Sequence, residues 1–175
     1  MDTSHLTLYK KNAEIQERIQ ELADDINKNY KDEEVMIVGL FIGAFRFFND
    51  LAVKIKLKVK FDCVFVSSYV NNKMTDTCTV TKDLKYDAKD MHVIIIDDII
   101  DSGRSMNTVI ELIESKQAKS VRPVTLVGHK DTKYPKINNS IEYFWEYTDN
   151  LYFVGYGFDD KEYMRQLNDI YFMKK

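Results

Sequence analysis

Residues 93–105 read V-I-I-I-D-D-I-I-D-S-G-R-S, and the centre of the fold follows from them. The first four residues are β-branched, which is typical of a strand buried on both faces of a parallel sheet. Asp97 and Asp98 follow, and residues 101–105 form a short turn of small and polar residues. An apolar spacing from Met106 onward indicates a helix. This order predicts an open α/β sheet, which binds its ligands outside the carboxyl ends of the strands.

The turn that follows this strand has the composition of a phosphate site. Backbone N–H groups and hydroxyls from Ser102 to Ser105 can surround a phosphate at a helix N-terminus, where the dipole favours an anion. The preceding acids would repel a phosphate, so they suit hydroxyl groups, a metal or a proton in transit. A ribose 5-phosphate meets both demands. The ordinary alternative is a strand–turn–helix unit whose acids cap the helix.

Composition narrows the class of protein. The chain has 175 residues, of which 45% are hydrophobic and 30% charged, so one domain with a real core is expected. A net charge of −3 argues against a nucleic-acid partner. Two cysteines, Cys63 and Cys78, are too few for a disulfide framework and favour a reducing, cytoplasmic compartment. Neither a signal peptide nor a transmembrane helix is expected.

Apolar periodicity places further elements around the centre. It predicts a helix from about Asn12 to Asn29, with Asn12 as the N-cap. Strands are predicted at residues 35–40, 59–66 and 120–127. The polar stretch at residues 70–82 is predicted to be a loop, with a partly ordered hairpin around residues 78–80.

The segment D-D-I-I-D-S-G-R-S resembles the phosphoribosyl pyrophosphate loop of the type I phosphoribosyltransferases, and the rest of the chain resembles their hypoxanthine-guanine branch. That branch usually has Glu-Asp where this chain has Asp97-Asp98. The resemblance implies a Rossmann-like fold with a central, mostly parallel sheet flanked by helices. A single domain is expected, with a core at about residues 12–128 and a small hood from the N-terminus and residues 129–175.

The activity that the resemblance implies is purine salvage. Hypoxanthine or guanine would react with phosphoribosyl pyrophosphate, with Mg²⁺ as cofactor, in a homodimer or homotetramer. Xanthine is the near alternative substrate. An alternative from another class is a regulator that senses phosphoribosyl pyrophosphate and has little catalytic activity.

The resemblance also assigns site residues. Asp101 would be the catalytic acid–base at N7 of the purine, and Ile42, Gly43 and Arg165 would bind pyrophosphate. Ile42 stands where relatives carry a lysine, which removes a charge contact but leaves a backbone contact through a non-proline cis peptide. Phosphoribosyl pyrophosphate would be bound by Asp97, Asp98, Asp101, Ser102, Gly103, Arg104 and Ser105, and Mg²⁺ by Asp97, Asp98 and Asp159.

On the base side, the resemblance makes Ser68-Tyr69 the start of a mobile loop that closes over the reacting centre; a surface hairpin without a role is the alternative. Tyr152 would stack on the purine and Phe153 would present backbone groups to it. Relatives carry a lysine that donates to the purine 6-oxo group. His129 stands at that position by direct count and Lys130 after a one-residue insertion; Lys130 is preferred because its charge does not depend on pH near 7.

Overall fold

The computed structural model describes residues 5–70, 73–130, 132, 141–148 and 151–174, with the side chains of 68–70, 73–77 and 174 outside that description. Within these residues the chain forms three helices and nine strands. In chain order they are β1 Thr7–Lys10, α1 Asn12–Asn29, β2 Val35–Leu40, α2 Phe45–Ala52, β3 Val59–Val70, β4 Lys73–Lys82, β5 His92–Ile100, α3 Arg104–Ser115, β6 Ser120–His129, β7 Glu142–Tyr147, β8 Leu151–Val154 and β9 Ile170–Lys174.

The central sheet has six strands in the order β4-β3-β2-β5-β6-β7. All neighbouring pairs are parallel except β3 and β4, which are antiparallel. Strand β5 lies between β2 and β6, and its carboxyl end carries Asp97 and Asp98. The predicted fold class, a mostly parallel sheet flanked by helices, is therefore confirmed.

Helices cover both faces of this sheet, which explains the continuous apolar runs in its strands. On β5, Ile94 and Ile96 pack with residues of α1 and α2. The alternate residues Val93 and Ile95 pack with the buried face of α3 on the other side. The strand is thus buried on both faces and leaves only its carboxyl end for ligand.

A second, three-stranded antiparallel sheet has the order β1-β9-β8. It joins the first strand of the chain to the last, and we call it the hood sheet. The ring of Tyr9 on β1 lies 5.0 Å from that of Phe153 on β8 and 6.3 Å from that of Phe172 on β9. These aromatic contacts hold the strands of the hood sheet together, and the Tyr9 hydroxyl joins that sheet to the central one by donating to the carbonyl of Glu146 on β7 at 3.1 Å.

The structure confirms the predicted bounds of the first helix and corrects its N-cap. Asn12 is the first helical residue, and Lys11 occupies the N-cap position. The N–H of Asn12 donates to Asp169 Oδ1 at 2.7 Å, and the N–H of Lys11 donates to Glu14 Oε2 at 3.0 Å. The cap is therefore supplied by two carboxylates, one of them from the other end of the chain.

The predicted loop at residues 70–82 is also wrong for most of its length. Residues 73–82 form β4, which pairs with β3 from Phe65↔Lys82 to Val70↔Lys73. Backbone hydrogen bonding along the free edge of β3 outweighs the polar composition of the segment. Similarly, β6 continues through Gly128 and His129, beyond the predicted strand at 120–127, because both residues pair with β7.

None of the described helices combines the length and the apolar content that crossing a bilayer requires.

Candidate functional site

An acid pair lies at the carboxyl end of β5. Asp97 is 9% exposed, and its Oδ1 accepts the N–H of Asp98 at 2.9 Å. Burial, and then the charge of Asp98, raise the pKa of Asp97 well above its usual range. Burial also raises the pKa of Asp98, although the hydrogen bond from Asp97 and the charge of Arg165 act in the opposite direction. The pair therefore favours a proton, a hydroxyl donor or a cation beside it.

The phosphate loop, residues 102–105, follows on the same edge. Gly103 has a left-handed conformation with φ +80°, and α3 begins at the next residue. The loop lines one wall of a cleft of about 260 Å³, with residues 40–43 and the acid pair on the other walls. Every residue predicted to bind phosphoribosyl pyrophosphate lines this cleft, together with Ile42 and Gly43. We call it the phosphate cleft.

The segment from Phe41 to Gly43 approaches the acid pair closely. The peptide bond between Phe41 and Ile42 is cis, as the resemblance implies. A Cβ added to Gly43 would lie 2.2 Å from Asp98 Oδ2, so no other residue fits at this position without displacing the carboxylate. The side chain of Ile42 is 54% exposed. Arg46, one turn further on, instead places its guanidinium 4.9 Å from the Tyr156 ring centroid.

A second cleft of about 220 Å³ adjoins the first and shares Asp98, Ile99 and Asp101 with it. We call it the aromatic cleft. Tyr152 is 37% exposed, whereas Phe153 is buried beneath the cleft with its ring 5.2 Å from that of Tyr147. The remaining lining residues are Tyr147, Leu151, Tyr152, Phe153, Phe158 and Asp159.

Sequence reasoning missed Tyr147, Leu151 and Phe158 as lining residues of the aromatic cleft. Tyr147 and Leu151 lie within residues 146–151, a segment that departs from the family pattern and therefore carried no assignment. Phe158 is buried and separated from the strand by the turn after β8. The one feature of the sequence that pointed to Phe158 as a site residue was its position directly before Asp159.

Asp159, which lines the aromatic cleft, is paired with Arg165. Arg165 Nη2 lies 2.6 Å from Asp159 Oδ1, and Arg165 Nη1 donates to the carbonyl of Gly157 at 2.7 Å. Asp159 Oδ2 also accepts the N–H of Glu162 at 2.8 Å. The arginine thus links the Asp159 carboxylate to the backbone that follows β8.

His129 and Lys130 lie in a third cleft of about 170 Å³, with Ile100, Thr132, Ile141 and Tyr143. Lys130 is exposed, and its N–H donates to the carbonyl of Tyr147 at 2.9 Å. The third cleft approaches the aromatic cleft at Thr132, whose Oγ1 lies 2.8 Å from the carbonyl oxygen of His129 and 3.1 Å from that of Asp101. Neither basic residue lines the aromatic cleft.

The predicted mobile-loop pair, Ser68-Tyr69, lies at the end of β3, and its side chains fall outside the described residues. The partner strand β4 reaches the phosphate loop, where Cys78 Sγ lies 3.7 Å from Ser105 Oγ. Across the described residues, no group of three or more His, Cys, Asp or Glu side chains forms a metal cluster.

Comparison with known proteins matches residues 5–161 to the phosphoribosyl transferase domain family. Hypoxanthine-guanine-xanthine phosphoribosyltransferase of Tritrichomonas foetus is 31% identical over 175 residues, which cover 100% of this chain and 94% of that protein. Hypoxanthine-guanine phosphoribosyltransferase of Aquifex aeolicus is 31% identical over 171 residues, or 97% of this chain and 95% of that protein. The crystal structure of a hypoxanthine phosphoribosyltransferase from Staphylococcus aureus superposes with a TM-score of 0.88 at 28% identity, covering 98% of this chain and 93% of that one.

Proposed function

Because the chain belongs to the phosphoribosyltransferase family, we propose that it is a purine salvage enzyme. It would form a nucleoside monophosphate and pyrophosphate from phosphoribosyl pyrophosphate and hypoxanthine or guanine. One observation carries this proposal: the phosphate cleft and the aromatic cleft meet at Asp98, Ile99 and Asp101. A sugar phosphate in one cleft and a flat base in the other would bring C1 of the ribose and N9 of the purine together at this shared edge.

The sugar-phosphate side supports the proposal through its charge distribution. Backbone N–H groups at the start of α3, with the hydroxyls of Ser102 and Ser105, suit the 5-phosphate. The acid pair suits the ribose 2′- and 3′-hydroxyls, because buried carboxylates that are short of positive charge accept hydrogen bonds from such donors. The phosphate loop and the acid pair line the same cleft.

Group transfer exchanges one bond at C1 for another. The bond from C1 to the pyrophosphate oxygen breaks with its electron pair leaving on pyrophosphate, and the bond from C1 to purine N9 forms. Asp101 would take the proton from N7 as the new bond forms and return it in the reverse reaction. Its side chain is exposed in the unliganded chain and lines both clefts, which supports this role. Holding N9 against C1 in one orientation supplies much of the remaining rate enhancement.

Mg²⁺ fits the residues of this site. It binds proteins through one or two carboxylates and completes its coordination with water and substrate phosphates. Asp97 and Asp98 are two such carboxylates, and burial raises the pKa of both, so a divalent cation would relieve their unneutralised charge. Asp159 is the third expected ligand, although Arg165 is paired with it here. When bound, the ion supplies positive charge that neutralises the departing pyrophosphate.

The choice of base follows from the aromatic cleft and from the relatives. Tyr152 is partly exposed over the cleft and suits stacking on a purine, while Phe153 would offer its backbone to the base edge. His129 or Lys130 would have to reach the 6-oxo group from the third cleft. The Tritrichomonas foetus relative is named for xanthine as well as hypoxanthine and guanine, so xanthine is the near alternative substrate.

The experiment is a substrate panel with the purified chain, phosphoribosyl pyrophosphate, Mg²⁺ and each of hypoxanthine, guanine, xanthine and adenine. We expect nucleotide from hypoxanthine or guanine. Binding of phosphoribosyl pyrophosphate without nucleotide from any base would instead support the alternative of a sensing regulator.

Asp101→Asn tests the assigned proton transfer. We expect turnover to fall on the order of 10²–10⁴-fold, the usual effect of removing a general acid–base, while phosphoribosyl pyrophosphate still binds. Asp32→Asn, which removes the same charge from an exposed turn, should leave turnover unchanged. Turnover of Asp101→Asn within threefold of wild type would show that the role assigned to Asp101 is wrong.

A further inference from the structure

A buried tyrosine lies where the chain leaves the hood sheet and returns to the pyrophosphate end of the site. Residues 155–157, Gly-Tyr-Gly, form this turn, and all three have positive φ angles. The side chain of Tyr156 is fully buried, and its hydroxyl donates to Asp50 Oδ2 on α2 at 2.6 Å. Gln16 Nε2 on α1 donates to the same oxygen at 2.6 Å. The same Gln16 amide also lies 3.4 Å from the Tyr156 hydroxyl, so the turn is tied to two helices of the core around one carboxylate.

The neighbouring Gly157 touches the segment that is expected to bind pyrophosphate. A Cβ added to Gly157 would lie 2.2 Å from the carbonyl oxygen of Gly43. Gly43 in turn has the Asp98 carboxylate on its other side. The N–H of Gly157 donates to the carbonyl of Arg165 at 3.0 Å, and Arg165 Nη1 donates back to the carbonyl of Gly157 at 2.7 Å. A contiguous set of contacts therefore runs from Asp98 through both glycines to Arg165.

Arg46 strengthens the same connection. Its guanidinium lies 4.9 Å from the centroid of the Tyr156 ring, a cation–π distance. Its Nη2 donates to Asn168 Oδ1 at 3.2 Å, in the segment that leads into β9. The turn is held from the ring face as well as from the hydroxyl, so its position relative to α2 is closely defined.

The base contacts depend on other interactions. Tyr152 and Phe153 lie on β8, where they pair in register with Met173 and Phe172 of β9. Those backbone pairs do not involve Asp50. A change in the bond between Tyr156 and Asp50 should therefore move Gly157 and Arg165 relative to Gly43 and leave the base-stacking surface in place.

We propose that Tyr156 and Asp50 are a positioning pair for pyrophosphate. Their hydrogen bond sets the distance between Gly157 and Gly43, and this distance in turn sets the separation between Arg165 and residues 41–43. Neither side chain touches substrate. The inference rests on the proposed function, since it takes pyrophosphate as the ligand of that segment. The groups of a binding site must stay within about 0.5 Å of the right positions to bind such a ligand well. A turn at residues 155–157 that varies more in position should therefore weaken pyrophosphate binding selectively.

The first experiment compares wild type with Tyr156→Phe, which removes the hydroxyl and keeps the ring. The Kd of inorganic pyrophosphate with Mg²⁺ is measured by calorimetry, and KM for pyrophosphate and for purine by initial rates in the two directions. We expect the pyrophosphate Kd and KM to rise roughly 3- to 10-fold, the effect of one hydrogen bond. The purine KM should stay within twofold. A merely structural role would lower the Tm without this split.

Variants at Asp50 keep the test decisive if Tyr156→Phe folds poorly. Both donors use the same Oδ2, and an amide oxygen can accept from both, so Asp50→Asn should keep pyrophosphate binding near wild type. Asp50→Ala should weaken it as Tyr156→Phe does. The matched control is Tyr171→Phe, which removes a hydroxyl on the hood strand β9 that donates to Asp169 Oδ2 at 3.2 Å. Its pyrophosphate and purine constants should both be unchanged.

The outcomes separate this inference from the proposed function. A wild-type chain that neither binds pyrophosphate nor forms nucleotide overturns both. An active wild type whose pyrophosphate constants are unchanged in Tyr156→Phe and Asp50→Ala overturns the positioning role alone. Equal weakening by Asp50→Asn and Asp50→Ala also overturns it, because the effect would then follow the lost charge and not the hydrogen bond.

Discussion

The substitution Asp97→Asn is expected to stabilise the unliganded chain and to weaken its hold on phosphoribosyl pyrophosphate. Asp97 is buried beside Asp98, and burial together with that neighbouring charge raises its pKa. An amide removes the charge and keeps an oxygen that can accept the N–H of Asp98, the bond now made at 2.9 Å. Its NH₂ group can also donate to the Asp98 carboxylate. The two carboxyl groups share a side-chain hydrogen bond only while one of them is protonated, and the amide keeps that bond at every pH without the repulsion.

The size of the gain follows from these two changes. Relief of an unfavourable buried charge and addition of a hydrogen bond to a charged acceptor together contribute about 1–2 kcal/mol. In a chain of this length, 1 kcal/mol shifts the Tm by roughly 2–4 °C, so an increase of about 2–8 °C is expected. The same change removes a charged acceptor from the ribose hydroxyls, which should raise KM for phosphoribosyl pyrophosphate roughly 10- to 100-fold.

The assay is thermal unfolding at pH 7.5 without ligand or divalent cation, followed by initial rates with Mg²⁺. Asp32→Asn is the matched control, because Asp32 is exposed and loses the same charge. Its Tm and KM should both equal those of wild type. An unchanged or lower Tm for Asp97→Asn would refute the reasoning, since it would mean that the carboxylate at position 97 is not a source of instability.

Three further predictions concern pH, the base and the core. Between the unfolded pKa near 3.8 and the raised native pKa of Asp97, the native state binds more protons than the unfolded state, so the stability of wild type falls as pH rises. The Tm difference between Asp97→Asn and wild type should therefore widen from pH 5 to 8. A constant Tm difference would contradict this. Tyr152→Ala should raise the purine KM roughly 5- to 150-fold, the range for loss of base stacking, without changing KM for phosphoribosyl pyrophosphate. An equal rise in the two KM values would exclude stacking as the cause. The Asp62 side chain is 4% exposed and accepts the N–H groups of Lys85 at 2.7 Å and Tyr86 at 3.0 Å. Asp62→Ala should therefore lower the free energy of unfolding, measured with urea, by about 2–4 kcal/mol, which is more than Asp62→Asn should. A loss below about 1 kcal/mol would contradict this.

The order of residues along the chain was enough to predict how the phosphate cleft is built. The buried strand, its terminal acids and the phosphate loop are consecutive from Val93 to Ser105, so residue type and spacing carry the information directly. The helix at residues 12–29 and the strands at 35–40 and 59–66 were predicted for the same reason, since a period of 3.6 or a continuous apolar run is a local property.

Other features depend on residues far apart in the chain and left no local signal. The first helix is capped by Asp169, more than 150 residues downstream. Residues 73–82 became a strand because the edge of β3 was free to pair, despite their polar composition. The aromatic cleft is lined by Tyr147 on β7, Tyr152 on β8 and Phe158 after the turn that follows β8. Asp98 and Asp101, from the middle of the chain, lie beside them in the same cleft.

The sequence alone therefore determined the fold class and the order of strand, acids and loop at the phosphate cleft, because both depend on contiguous residues whose periodicity and polarity act locally. Only the tertiary structure decided which side chains line the aromatic cleft, where Arg46 lies, and how Gly157 meets Gly43. Those contacts follow from the order of parallel strands and the pairing of β8 with β9, which bring distant segments within van der Waals distance of one another.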